Sequence, residues 1–242
     1  MWEITIKTSL NNCDNLDYIN NMLLTHFNNK VIIGRFSGDV CAMSVATKKQ
    51  NSKAVWDYLR KLLCDVYCTQ YKASFLQQNI SFLPQNSPYF NAFIKVYTYF
   101  DLELEHSIAY RLIKYMPVIF LESFFIFRLG CLKQKWQDLC DITNNNSSAF
   151  LSSDTFISLL KFLISNLDKK TDSVIVSVKD NCFTYINKQN RQVIVGIKSE
   201  METICSLIEL SPIKIVLYGT QHTPLEQMIS QLFDNCIVCQ KN

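Results

Sequence analysis

Apolar residues at Trp2, Ile4 and Ile6 alternate with polar ones, the period-two pattern of a half-buried strand. Leu16, Ile19, Leu23, Leu24 and Phe27 then recur at helical spacing. Two further apolar runs, Val31 to Phe36 and Val40 to Ala46, flank Ser37-Gly38-Asp39, a hairpin signal. The first region therefore reads strand, helix, strand, strand. A long helix is predicted from about Ser52 to Gln78, with Val55, Tyr58, Leu59, Leu62, Leu63, Val66 and Tyr67 as its apolar face.

Pro84 and Pro88, with Asn86 and Ser87 between them, interrupt both helix and ladder patterns and mark a boundary. Three helices are expected beyond it: about Tyr89 to Lys114, about Val118 to Ile142, and Ser153 to Leu167 after the polar loop Asn144 to Ser148. From about Thr171 the period returns to two. Val174, Val176 and Val178 alternate with Ile175, Ser177 and Lys179, and Cys182 to Ile186 follows the turn Lys179-Asp180-Asn181. A helix near Ser199 to Leu210, a strand at Ile213 to Tyr218, a helix from Pro224 to Phe233 and a strand at Ile237-Val238 give a βαβ-like ending. The expected class is α+β in three consecutive regions: an N-terminal α/β unit (1–85), a helical unit (86–170) and a C-terminal α/β unit (171–242).

The middle and later helices carry the most distinctive strings: Tyr99-Phe100-Asp101-Leu102-Glu103-Leu104-Glu105, Ser123 to Leu129, Trp136, and Phe156 to Asp168. In order and spacing these resemble the YtxC-like family of sporulation proteins from endospore-forming bacteria, over roughly Tyr89 to Cys239. Gly130 stands where that pattern has a polar helix former. The resemblance implies a process, sporulation, and no reaction; it brings no catalytic residues with it.

Composition narrows the classes further. A hydrophobic content of 48% with five Gly and five Pro is that of a globular chain. The net charge of +3 is too small for the footprint of nucleic-acid binding, and the basic run Lys48 to Lys72 is expected to be a solvated face. The start of the chain has neither a basic n-region nor a continuous apolar h-region, so a cytoplasmic location and reduced thiols at the ten cysteines are expected. Tyr115 to Leu129 is apolar but holds Glu122 and Arg128, which predicts a buried helix and no transmembrane span.

Candidate chemistry is sparse. Cys236 and Cys239 have the spacing of half a zinc site, and Cys64 and Cys68, one helical turn apart, are the comparable pair that would complete it. Asp101 and Glu105 would share a helix face, the arrangement of a solvated or salt-bridged acidic group. Arg128, set among Phe124, Phe125, Phe127 and Leu129, is expected to pair with Glu122 or with a carboxylate of the Asp101 to Glu105 group. Gly219 to Pro224 joins a strand to a helix, but Thr223 and Glu226 form a capping box there and no Walker or dinucleotide glycine pattern is present. Nucleophile-elbow and His-Glu-x-x-His motifs are absent, and no cofactor is implied. The expectation is a non-catalytic binding or assembly protein working through protein partners. Its rivals are a small-ligand or metal-binding enzyme built on the C-terminal unit, and a peripheral membrane protein using the Tyr115 to Leu129 helix.

Overall fold

The computed structural model describes residues 1–81, 88–146, 153–177, 182–186, 191–196, 199–219 and 223–239. In chain order the elements are β1 (Trp2–Thr8), α1 (Cys13–Phe27), β2 (Val31–Ser37), β3 (Cys41–Thr47), α2 (Ser52–Val66), a π-helical turn (Tyr67–Tyr71), α3 (Lys72–Asn79), α4 (Pro88–Tyr99), α5 (Leu102–Leu112), β4 (Val118–Phe120), α6 (Leu121–Arg128), α7 (Gly130–Asn145), α8 (Ser153–Ser165), β5 (Thr171–Ser177), β6 (Cys182–Ile186), β7 (Gln192–Gly196), α9 (Glu200–Leu210), β8 (Pro212–Tyr218), α10 (Pro224–Leu232) and β9 (Cys236–Cys239). The α+β class is as expected. The partition is different: one unit comprises Met1–Leu76 and Asp101–Leu139, the other Gln77–Phe100 and Cys140–Asn242. The three consecutive units predicted from sequence are replaced by two discontinuous ones.

The first unit is built on a four-stranded sheet of order β2-β3-β1-β4. β1 and β2 each pair antiparallel with β3 between them, so β1-α1-β2 is a split βαβ crossover. Gly38 to Val40 close the β2–β3 hairpin, with Gly38 N–H donating to Val40 O at 3.2 Å. Ile4, Ile6, Met43 and Val45 are buried from the sheet, and Leu16, Ile19 and Leu23 of α1 with Val55, Leu59 and Leu63 of α2 complete that core. β4 pairs parallel with β1, through Ile6 opposite Ile119. That pairing draws Asp101–Leu139 into this unit and corrects the helix expected from Val118 to Ile142. The same stretch breaks again at Leu129, between α6 and α7, where Gly130 opens the new helix.

The long helix expected from Ser52 to Gln78 forms, but the π-helical turn at Tyr67–Tyr71 interrupts its period. One extra residue in a turn rotates everything after it by about 100° around the axis. The core-facing series therefore passes from Val66, Tyr67 and Cys68 to Lys72 and Leu76, and Gln70 is turned out.

The second unit holds a five-stranded sheet of order β7-β6-β5-β8-β9. β5, β6 and β7 form an antiparallel meander, whereas β5, β8 and β9 are parallel, with α9 and α10 as crossovers. The βαβ-like ending is thus β8-α10-β9; β7 was not anticipated. Helix α4 contacts α8 and α9, and α10 contacts α8 and α9. That packing places α4 and α8 in this unit. Thr223 Oγ1 accepts the Glu226 N–H at 3.2 Å, the forward half of the expected capping box, and Ser199 caps α9 in the same way through Glu202 N–H. The break at Pro84 to Ser87, Ser147-Ser148, the Val178 to Asn181 turn and the segment Thr220 to His222 lie outside the described residues.

Candidate functional site

One face of the second sheet is covered: Val174, Val176, Phe183, Ile215 and Leu217 are 0–4% exposed. The other face stays open: α9, from β7 to β8, and α10, from β8 to β9, step across the sheet in the same direction, and the right-handed rule for such crossovers puts both helices on one side. Strand register lines up one row across it. Ile175 lies opposite Thr184 on one side and Val216 on the other, Thr184 lies opposite Ile194, and Val216 opposite Ile237. At the usual strand spacing this row is roughly 19 Å long. Ile194 is 69%, Ile237 46% and Ile175 39% exposed. The flanking positions on this face are mixed, with Ser173, Lys214 and the exposed Ile186 to one side of the row and Ser177, Cys182, Gly196 and Tyr218 to the other. An exposed apolar band on a one-sided sheet is a surface that gains by being covered.

The cysteines named as metal candidates are divided between the two units. Cys64 and Cys68 are fully buried in the core of the first unit; burial pushes the Cys64 thiol up to about 12 and raises that of Cys68 as well. Such thiols are inert small apolar groups. Cys236 and Cys239 lie in β9 of the second unit, and positions three apart in a strand have opposite face parity. Among the described residues no group of three or more His, Cys, Asp or Glu side chains could hold a metal ion. The thiol expectation itself needs one correction: Cys13, the first residue of α1, is disulfide-bonded to Cys41, the first residue of β3, with Cα atoms 5.9 Å apart.

Arg128 is exposed, and the carboxylates proposed as its partners are engaged elsewhere. Glu122, in the first turn of α6, accepts four hydrogen bonds on Oε1: from Thr8 Oγ1 at 2.7 Å, Asn12 Nδ2 at 2.8 Å, Ser9 Oγ at 2.9 Å and Ser9 N–H at 3.1 Å. Burial pushes this carboxyl up, but the bonds from Asn12, Thr8 and Ser9 outweigh it and hold it down to about 2. Glu105 shares the core-facing stripe of α5 with Ala109, and its Oε2 accepts from Lys72 Nζ at 2.8 Å, both side chains being 1% exposed. Asp101, in the left-handed conformation just before α5 with φ 58°, pairs with Lys135 Nζ at 3.1 Å, and the same ammonium lies 3.4 Å from Glu105 Oε1. Asp101 stands just outside α5, so the two carboxylates meet through Lys135 and not as a shared helix face, and sequence reasoning missed Lys72, whose burial follows the π turn.

Among the described residues no helix is long and apolar enough to cross a membrane. No family model, curated protein or solved structure matches the chain.

Proposed function

We propose that this chain is a non-catalytic binding or assembly protein of the sporulation programme, acting on a protein partner held against the open sheet face of its second unit. The observation that supports this reading is the aligned row Ile194, Thr184, Ile175, Val216 and Ile237. Single exposed isoleucines are ordinary on a protein surface; a register-aligned band across five strands has the form of half an interface. The process half of the proposal comes from the resemblance of the Tyr99 to Glu105, Ser123 to Leu129 and Phe156 to Asp168 strings to the YtxC-like family. Its test is the count of heat-resistant spores from a clean deletion strain, beside the parent and a complemented strain. A drop restored by complementation is expected, and an unchanged count removes the process assignment.

A further inference from the structure

A groove of about 610 Å³ opens at one end of the four-stranded sheet of the first unit. Its walls come from the start of β2, the end of β3 and the 3₁₀ turns that flank them, Asn28–Lys30 and Lys49–Asn51. The end of β3 is tied to the first of these turns by Thr47 Oγ1, which donates to Lys30 O at 2.7 Å from a side chain only 4% exposed. The groove is therefore set by packed backbone, and not by the lysines at its mouth.

Lys30, Lys48 and Lys49 are the charged side chains of this lining, and among the described residues no Asp or Glu lines it. None of the three takes part in an ion pair among the described residues. Helix α2 begins at the same place with no acidic residue in its first turn and no side-chain cap from Asn51, so the positive end of its dipole adds to the field. Amide groups of Asn29, Gln50 and Asn51 add hydrogen-bonding capacity, and the register pair Ile32 and Ala46 supplies an apolar wall.

We infer that this groove binds a phosphate-bearing small molecule, with its phosphates against Lys30, Lys48 and Lys49 and its organic part against Ile32 and Ala46. The volume is that of a small-ligand site, which runs from roughly 300 to 1,000 Å³. The cations are lysines, point charges that suit a multiply charged phosphate; the planar, forked donor that recognises carboxylates is arginine, and none lines the groove. A nucleic-acid track would need positive charge extended along a whole face, and the net charge of +3 argues for a local site instead.

Isothermal titration of the full chain with sodium pyrophosphate and with ADP tests this directly, at fixed ionic strength and with a single-stranded RNA as a third titrant. Saturable binding of pyrophosphate or ADP is expected, weakened at least about 10-fold by the double substitution K48A/K49A and unchanged by K169A in the other unit. The three groove lysines are exposed, so their variants keep the fold. Tighter binding of ADP than of pyrophosphate supports the apolar wall. Absence of binding by both at millimolar concentration overturns the assignment, as does equal affinity in K48A/K49A. RNA binding that ADP does not compete away also overturns it, in favour of a nucleic-acid surface.

Discussion

Replacing Lys72 by Met keeps most of the buried stem and removes the charge that faces Glu105. The ammonium lies 2.8 Å from Oε2, and neither side chain reaches solvent. At an effective dielectric constant near 20 that attraction is about 6 kcal/mol, set against the cost of bringing both ions out of water. Burial pulls the Lys72 ammonium down, and the facing Glu105 carboxylate opposes the shift, so the two costs are balanced only while both partners are present. Removing one partner of a buried pair typically costs 3–5 kcal/mol. Lys135 remains 3.4 Å from Glu105 Oε1, but it is 36% exposed and screened by water, so K72M is expected near the lower end, about 3 kcal/mol. The double variant K72M/E105L removes both charges and should lie within about 1 kcal/mol of the parent, or above it. All three tryptophans, Trp2, Trp56 and Trp136, belong to the first unit, so urea unfolding followed by tryptophan fluorescence reports that unit alone. A K72M loss below about 1 kcal/mol, or a double variant as unstable as K72M, would refute the reasoning.

Glu122 sets an acid limb. A carboxyl held below its ordinary value stabilises the fold above that value, and the contribution disappears as pH falls from 4.5 to about 2. E122Q should lose about 2 kcal/mol at neutral pH, partial exposure allowed for, and converge with the parent near pH 2; parallel urea curves at the two pH values check it. Reducing the Cys13–Cys41 bond, which closes a separation of 28 residues, should lower the fluorescence-reported stability by about 2–4 kcal/mol, and non-reducing peptide mapping should recover the linked pair. Recovery of both cysteines alkylated without reductant would contradict the bond. Ser211, just after α9, holds φ 37° with its hydroxyl buried and without a hydrogen-bond partner among the described residues. S211G relieves both and is expected to raise stability by about 1 kcal/mol in thermal unfolding followed by circular dichroism, where a lower midpoint would count against it.

Local period carried most of the elements into view. β1, the β2–β3 hairpin, α1, α2 and the β8-α10-β9 ending follow from alternation, helical spacing, a Gly-containing turn and the Thr223 capping box, all of which act within a few residues. The failures have nonlocal causes. β4 is three residues of a strand inside an apolar run, and only its pairing with β1 distinguishes it from helix. The break before Asp101 rests on a left-handed residue that is not glycine, which gives no compositional sign. Lys72 reads as a solvated charge under a strict 3.6 period, and one π turn sends it into the core. The exposed row on the second sheet was half legible: the alternation assigned Ile175 to the face opposite Val174 and Val176. Which face is open depends on the crossovers, and the alignment with Ile194 and Ile237 depends on pairings that single strands do not encode.

The proposed function is tested most directly by the count of heat-resistant spores from a deletion strain complemented with either the parent chain or the double variant I175D/I194D, the two made to equal levels. Both positions are exposed, so the variant keeps its fold while the apolar row is broken by charge. The account predicts that the parent chain restores the count and the variant leaves it at the deletion level. Full restoration by I175D/I194D would contradict a working role for the open sheet face.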